Sequence, residues 1–124
     1  MRRSIIAAAA AGLAGAFLLP APASAASFDC ARAVKADEIA ICRNPRLSEL
    51  DAEMGGLWYA WSRVPMLMGG NGNRGDAARA FLARRTACGR NTACLTAAYR
   101  ARIEELHRGI DDAMEEYSRM QNEG

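Results

Sequence analysis

The stretch RRTACGRNTACLTAAYR, residues 84–100, decides how the chain folds. Cys88 and Cys94 stand six apart in it, and Gly89-Arg90-Asn91 follows the first. On an unbroken α-helix, six residues turn the chain by about 600° and advance it by about 9 Å, so the two thiols would point apart. A disulfide needs Cα atoms within roughly 7 Å of each other. Gly89 and Asn91 tolerate left-handed backbone and close helices, and Asn91 or Thr92 can cap the next one. The stretch therefore predicts a helix end, a tight corner and a new helix, with a disulfide across the corner.

A disulfide requires an oxidising compartment, and the N-terminus supplies the route to one. Residues 1–25 read as a secretory signal peptide. Arg2 and Arg3 precede the apolar run SIIAAAAAGLAGAFLL, and PAPASA ends in a small-residue cleavage site. The apolar run is short for a bilayer span. Cleavage before Ala26 is expected, leaving residues 26–124 as a single domain without a membrane anchor, periplasmic or secreted from a bacterium. The chain's 16 lysines and arginines exceed its 14 acids by two, and Arg2 and Arg3 account for that excess. A near-neutral mature chain lacks the surplus of positive charge that nucleic-acid binding needs.

Four cysteines in an exported chain form a disulfide framework. Three pairings are open to them, and Cys30–Cys42 with Cys88–Cys94 is favoured. Their spacings, C-x11-C and C-x5-C, do not suit structural zinc, and the one histidine, His107, is remote. No metal or other cofactor is expected. Nor does a catalytic set emerge: His107 has no nucleophile at a diagnostic spacing, and the paired acids of the C-terminal segment are adjacent helical residues that point apart. The chain reads as a non-enzyme.

Outward from the corner the pattern is helical throughout. Residues 36–42 (ADEIAIC) form a short helix that ends at Asn44-Pro45, because the residue before proline is pushed out of helical geometry. Asn44 and Pro45 then cap and open the next helix. Leu47, Leu50, Met54, Leu57, Trp58, Trp61 and Val64 give it one apolar face, and Gly55-Gly56 is a weak spot where another helix can come close. Residues 65–75 (PMLMGGNGNRG) read as a flexible loop. A third helix, capped by Asp76, turns Ala78, Phe81 and Leu82 to the core. A fourth runs from about Thr92 to Ser118, with Leu95, Tyr99, Ile103, Leu106, Ile110, Met114 and Tyr117 at steps of three and four. Residues 107–124 are a helical extension, acidic at Asp111, Asp112, Glu115 and Glu116. The fold class is all-α, a small disulfide-stapled bundle of three to four helices.

Several motifs together resemble the lysozyme inhibitor LprI-like family of small exported bacterial domains. They are Phe28-Asp29-Cys30 with Glu38 to Cys42, Leu47 to Asp51, Phe81 to Cys88, and Cys94 to Arg102. Phe81 stands where the family usually has tryptophan, and Lys35 where a capping Ser or Thr is common. The resemblance implies a stapled helical domain in which Glu38, Asp51, Arg85 and Arg102 form part-buried ion pairs. It also implies a protein partner, lysozyme or another envelope hydrolase, whose active-site cleft the domain occludes. Arg74, in the glycine-rich loop, is then the candidate donor to the hydrolase carboxylates, and the acidic residues 111, 112, 115 and 116 are candidates for steering. The alternative is an envelope structural or stress-related protein that meets another periplasmic partner through its Trp/Met-rich loop side.

Overall fold

A one-residue corner sets the first half of the structure. The computed structural model describes residues 24–66 and 69–124. The signal-peptide reading, apart from its last two residues, lies outside that range, as do positions 67 and 68 of the expected loop. After one 3-10 turn at Cys30–Arg32, helix α1 runs over Ala36–Arg43 and α2 over Pro45–Ser62. Asn44 alone joins them. Its side chain accepts the N–H groups of Arg46 and Leu47 at 3.0 and 3.2 Å, and Pro45 fills the first helical position. Both devices satisfy or remove amides that a helix start leaves without partners. Ser48 Oγ donates to the Ile41 carbonyl at 2.7 Å and ties α2 back to α1.

At the start of α1, Lys35 offers no acceptor for capping. The Glu38 carboxylate takes the task instead, accepting the amides of Val34 and Lys35 at 3.2 Å each. This is one half of a capping box.

Helix α3 spans Gly70–Cys88 and α4 spans Thr92–Asn122. Between them Gly89 turns the chain with φ +55°, and Asn91 caps α4 by accepting the Cys94 amide at 2.9 Å. The Cys88–Cys94 disulfide crosses this corner with Cα atoms 5.5 Å apart, and Cys30–Cys42 holds the 3-10 turn to α1 at 5.7 Å. The pairing and the corner are as the sequence predicts. Each closed loop contributes about 2–3 kcal/mol in the chain-entropy account.

The core lies where α2 and α4 pack along each other, with α1 and α3 closing it. Ile41, Leu47, Leu50, Phe81, Leu95, Tyr99 and Ile103 form it, and Leu106 is buried beside them. Phe81 meets Tyr99 edge-on, with ring centroids 5.3 Å apart. Such a contact adds about 0.5–1.5 kcal/mol to the burial itself.

Three expectations need correction. Helix α3 starts six residues before Asp76, so residues 70–75 of the expected loop are helical; Asp76 is an internal residue paired with Arg79. Leu82 is exposed, because Arg85 and Phe81 take the inward face of α3. The apolar face of α4 outruns the bundle: Met114 and Tyr117 are more than half exposed. Gly109 marks where cover ends. A Cβ there would lie 3.0 Å from the Trp61 ring, so the glycine lets the end of α2 close onto α4 without bending it.

Candidate functional site

The buried charges of the bundle converge on Arg85. Its Nε donates to Asp37 Oδ2 at 2.8 Å, its Nη2 lies 3.8 Å from Glu38 Oε1, and its Nη1 lies 4.0 Å from Asp51 Oδ1. Asp37 and Asp51 are almost wholly buried. Asp51 is held further by Tyr99, whose hydroxyl donates to Oδ1 at 2.7 Å. The backbone amide and hydroxyl of Ser27 both donate to its Oδ2 at 2.6 Å. The Phe28 ring covers the guanidinium at 5.6 Å. One network thus joins α1, α2, α3, α4 and the N-terminal segment.

Burial pushes the Tyr99 hydroxyl well above its ordinary range. The hydrogen bond to Asp51 and that carboxylate's charge push the same way, while Arg85 pulls against them. Burial by itself opposes the charge on Arg85, but Tyr99 and Asp37 more than offset it, so the guanidinium is held more firmly protonated than usual.

A shallow open cleft of about 420 Å³ lies over this network, lined by Ser27, Phe28, Arg32, Glu38, Leu82 and Arg85 among others. Its carboxylates and Arg85 already have partners within the bundle. The Ser27 hydroxyl that lines the cleft is engaged with Asp51, and the network links the helices through buried charge.

Of the four charges expected to pair, Glu38, Asp51 and Arg85 do meet, with Asp37 as the closest partner of Arg85. Asp37 was not legible as that partner, since two adjacent carboxylates on a short helix give no sign of which turns inward. Arg102 stands apart. It is buried, pairs with Glu105 one turn away at 2.9 Å, and lies 5.6 Å from the Trp58 ring. Among the described residues its Nε has no hydrogen-bond partner.

Arg74 is not a free donor on a protruding loop. It is buried in the first turns of α3. It donates to the carbonyls of Trp61 and Val64, and to the Asn71 side chain, with its guanidinium 5.1 Å from the Trp61 ring. Carbonyls at a helix end lack partners, and Arg74 supplies them at the end of α2. This anchor explains why the glycine-rich 70–75 segment is helical despite its poor propensity. It also covers Trp61, as Arg102 covers Trp58, so the tryptophans do not present an open face.

Exposed apolar side chains stand singly at Val34, Tyr59 and Leu82, and as a row at the far end of α4. Beyond Gly109 the apolar stripe continues through Ile110, Met114, Tyr117 and Met120, the last three at 58, 55 and 58 % exposure. Asp111, Asp112, Glu115 and Glu116 are exposed around the rest of the same turns. Charge is divided sharply along the chain. Residues 24–103 carry twelve lysines and arginines against seven acids, and residues 104–124 carry two arginines against seven acids. The near-neutral total conceals a basic bundle with an acidic helical tail.

Among the described residues no group of three or more His, Cys, Asp or Glu is placed to hold a metal ion, and no helix is long and apolar enough to cross a membrane. No protein-family model matches the chain, and no curated protein or solved structure shows detectable similarity to it. The two disulfides belong to an oxidising environment.

Proposed function

We propose that the chain is an exported, non-catalytic binding protein that occludes a lysozyme-type hydrolase in the bacterial envelope, using the helical tail of α4 as its contact surface. The observation that carries this reading is the bare stripe of Met114, Tyr117 and Met120 set among acids on a helix that projects past its own bundle. Exposed apolar side chains rimmed by charge mark interaction sites, and an acidic rim steers a basic partner into contact. The segregated charge gives a near-neutral chain an acidic face for a basic enzyme. The disulfides and the signal-peptide pattern support export to the periplasm or beyond. The motif resemblance at the four cysteines supports the choice of hydrolase. With Arg74 engaged inside the bundle, occlusion proceeds by steric cover from the tail and not by an arginine inserted into the catalytic carboxylates.

The test is to titrate the oxidised mature chain into lysozymes of the animal and bacterial-cell-wall types. Stoichiometric inhibition is expected, lost when Asp111, Asp112, Glu115 and Glu116 are changed to lysine. No inhibition at about micromolar excess, in the affinity range typical of specific complexes, would remove the hydrolase from the account.

A further inference from the structure

The tail of α4 and the bundle carry opposite charges on one rigid chain. Helix α4 is unbroken from Thr92 to Asn122, about 46 Å at 1.5 Å per residue. Gly109 sits within it without a kink cap or change of helix type. The tail therefore cannot fold back onto the bundle it belongs to. Its apolar stripe and its acids are out of reach of the basic residues of the same chain, but not of those of another copy.

The bundle has a surface that suits the tail. At the stapled corner, α3 and α4 leave a shallow, mainly apolar groove lined by Arg84, Ala87, Cys88, Cys94, Ala98 and Ala101. The alanines and the disulfide form its floor, and no large side chain fills it. Arg84 stands at its wall, and exposed Arg90 sits in the corner that the disulfide closes. Met114, Tyr117 and Met120 provide the bulk that such a floor lacks, and Asp111, Asp112 and Glu115 provide partners for the arginines.

We propose that the chain self-associates head to tail, the acidic tail of one copy lying in the α3–α4 groove of the next. One alternative fits less well. Tail-to-tail pairing would bring together two segments that, beyond Gly109, each carry five acids against one arginine, and like charges held close oppose association. A head-to-tail contact is heterologous, so it makes rings or short chains in place of a closed two-fold dimer. The inference uses the tail as a contact surface, as the proposed function does, but needs no hydrolase. Failure to inhibit lysozyme leaves it standing, and a monomeric chain leaves the hydrolase reading standing.

Sedimentation velocity on the oxidised mature chain tests it, with two variants checked for folding by circular dichroism. Met114→Ser/Tyr117→Ser/Met120→Ser removes the tail contact, and Arg84→Glu/Ala101→Glu removes the groove. At about 0.1 mM protein, suited to weak contacts, the wild-type mass should exceed one chain in about 20 mM salt and fall to one chain in about 500 mM. Each variant alone should be a monomer. Their equimolar mixture should give a species of twice the monomer mass, because one intact tail and one intact groove remain. A monomeric wild type at low salt overturns the proposal. So does a groove variant that still associates, which would mean tail-to-tail pairing, or a mixture that stays monomeric.

Discussion

The Tyr99 hydroxyl of α4 donates to the Asp51 carboxylate of α2 at 2.7 Å, and both side chains are fully buried. The bond ties the two longest-packed helices together at the point where Arg85 and Ser27 also converge on Asp51. Because burial and Asp51 raise the ionisation of Tyr99 above its ordinary range, the bond has a pH consequence. The unfolded chain loses this phenol proton near pH 10, whereas the folded chain retains it. The stability it contributes is whole below about pH 10 and falls as pH rises further, by up to about 1.4 kcal/mol per pH unit. Ultraviolet titration should show one tyrosine that ionises only as the chain unfolds. That step should be missing in Tyr99→Phe, which should also be about 1–3 kcal/mol less stable at neutral pH.

Two of the three buried arginines, Arg85 and Arg102, should differ sharply when replaced by methionine. Arg85→Met leaves Asp37 and Asp51 buried without their cation and should cost about 3–5 kcal/mol in urea unfolding. Arg102→Met removes a guanidinium whose Nε has no hydrogen-bond partner among the described residues and whose carboxylate partner is nearly half exposed. Its loss should cost no more than about 1 kcal/mol. Equal losses for the two would mean that the Arg85 network is not the one holding the helices in register.

Adjacent glycines in α2 should also diverge. A Cβ at Gly55 would lie 2.9 Å from Ser27 Cβ, where the N-terminal segment crosses the helix. What approaches here is that segment and not the helix expected from the sequence. Gly55→Ala should push Ser27 off Asp51 and destabilise by about 1–3 kcal/mol. Nothing lies within 4 Å of a Cβ at Gly56, so Gly56→Ala should stabilise by up to about 1 kcal/mol through helix propensity. Thermal melts of the pair measure the difference.

Opening either staple should lower stability without redirecting the chain. Replacing both cysteines of the Cys88–Cys94 pair with serine should cost about 2–3 kcal/mol, because Gly89 and Asn91 still form the corner and its cap. Loss of the α4 start, read as a fall in helical circular dichroism in the native baseline, would mean that the disulfide and not the local sequence makes the corner.

Where local chemistry decides, the sequence was a good guide. The corners at Asn44-Pro45 and Gly89–Asn91 are set by caps within a few residues, and the Cys88–Cys94 pair follows from the second, whereas Cys30 meets Cys42 only because the N-terminal segment folds back along α1. The periodic face of α4 is correct as a pattern, but periodicity cannot say where cover stops. That depends on α2 ending at Ser62 with Trp61 closed over Gly109. The glycine-rich start of α3 was unreadable, because its helix is held by Arg74 reaching carbonyls ten and thirteen residues away. Asp37 was hidden by its neighbour Glu38, since only the packing of α1 against α3 chooses between them. The acidic tail was noticed, but its contrast with the bundle emerges only when charge is summed along the chain and not over it.

The tail as the partner-binding surface is tested most directly by calorimetric titration into a basic lysozyme-type hydrolase. Wild type and Met114→Ser/Tyr117→Ser/Met120→Ser should be compared in about 20 and about 300 mM salt, below and above the ionic strength at which surface charges are largely screened. Binding by the wild type at low salt, weakened about tenfold or more at high salt and absent in the folded variant, is the predicted result. A variant that binds as tightly as the wild type, or an affinity indifferent to salt, would contradict it.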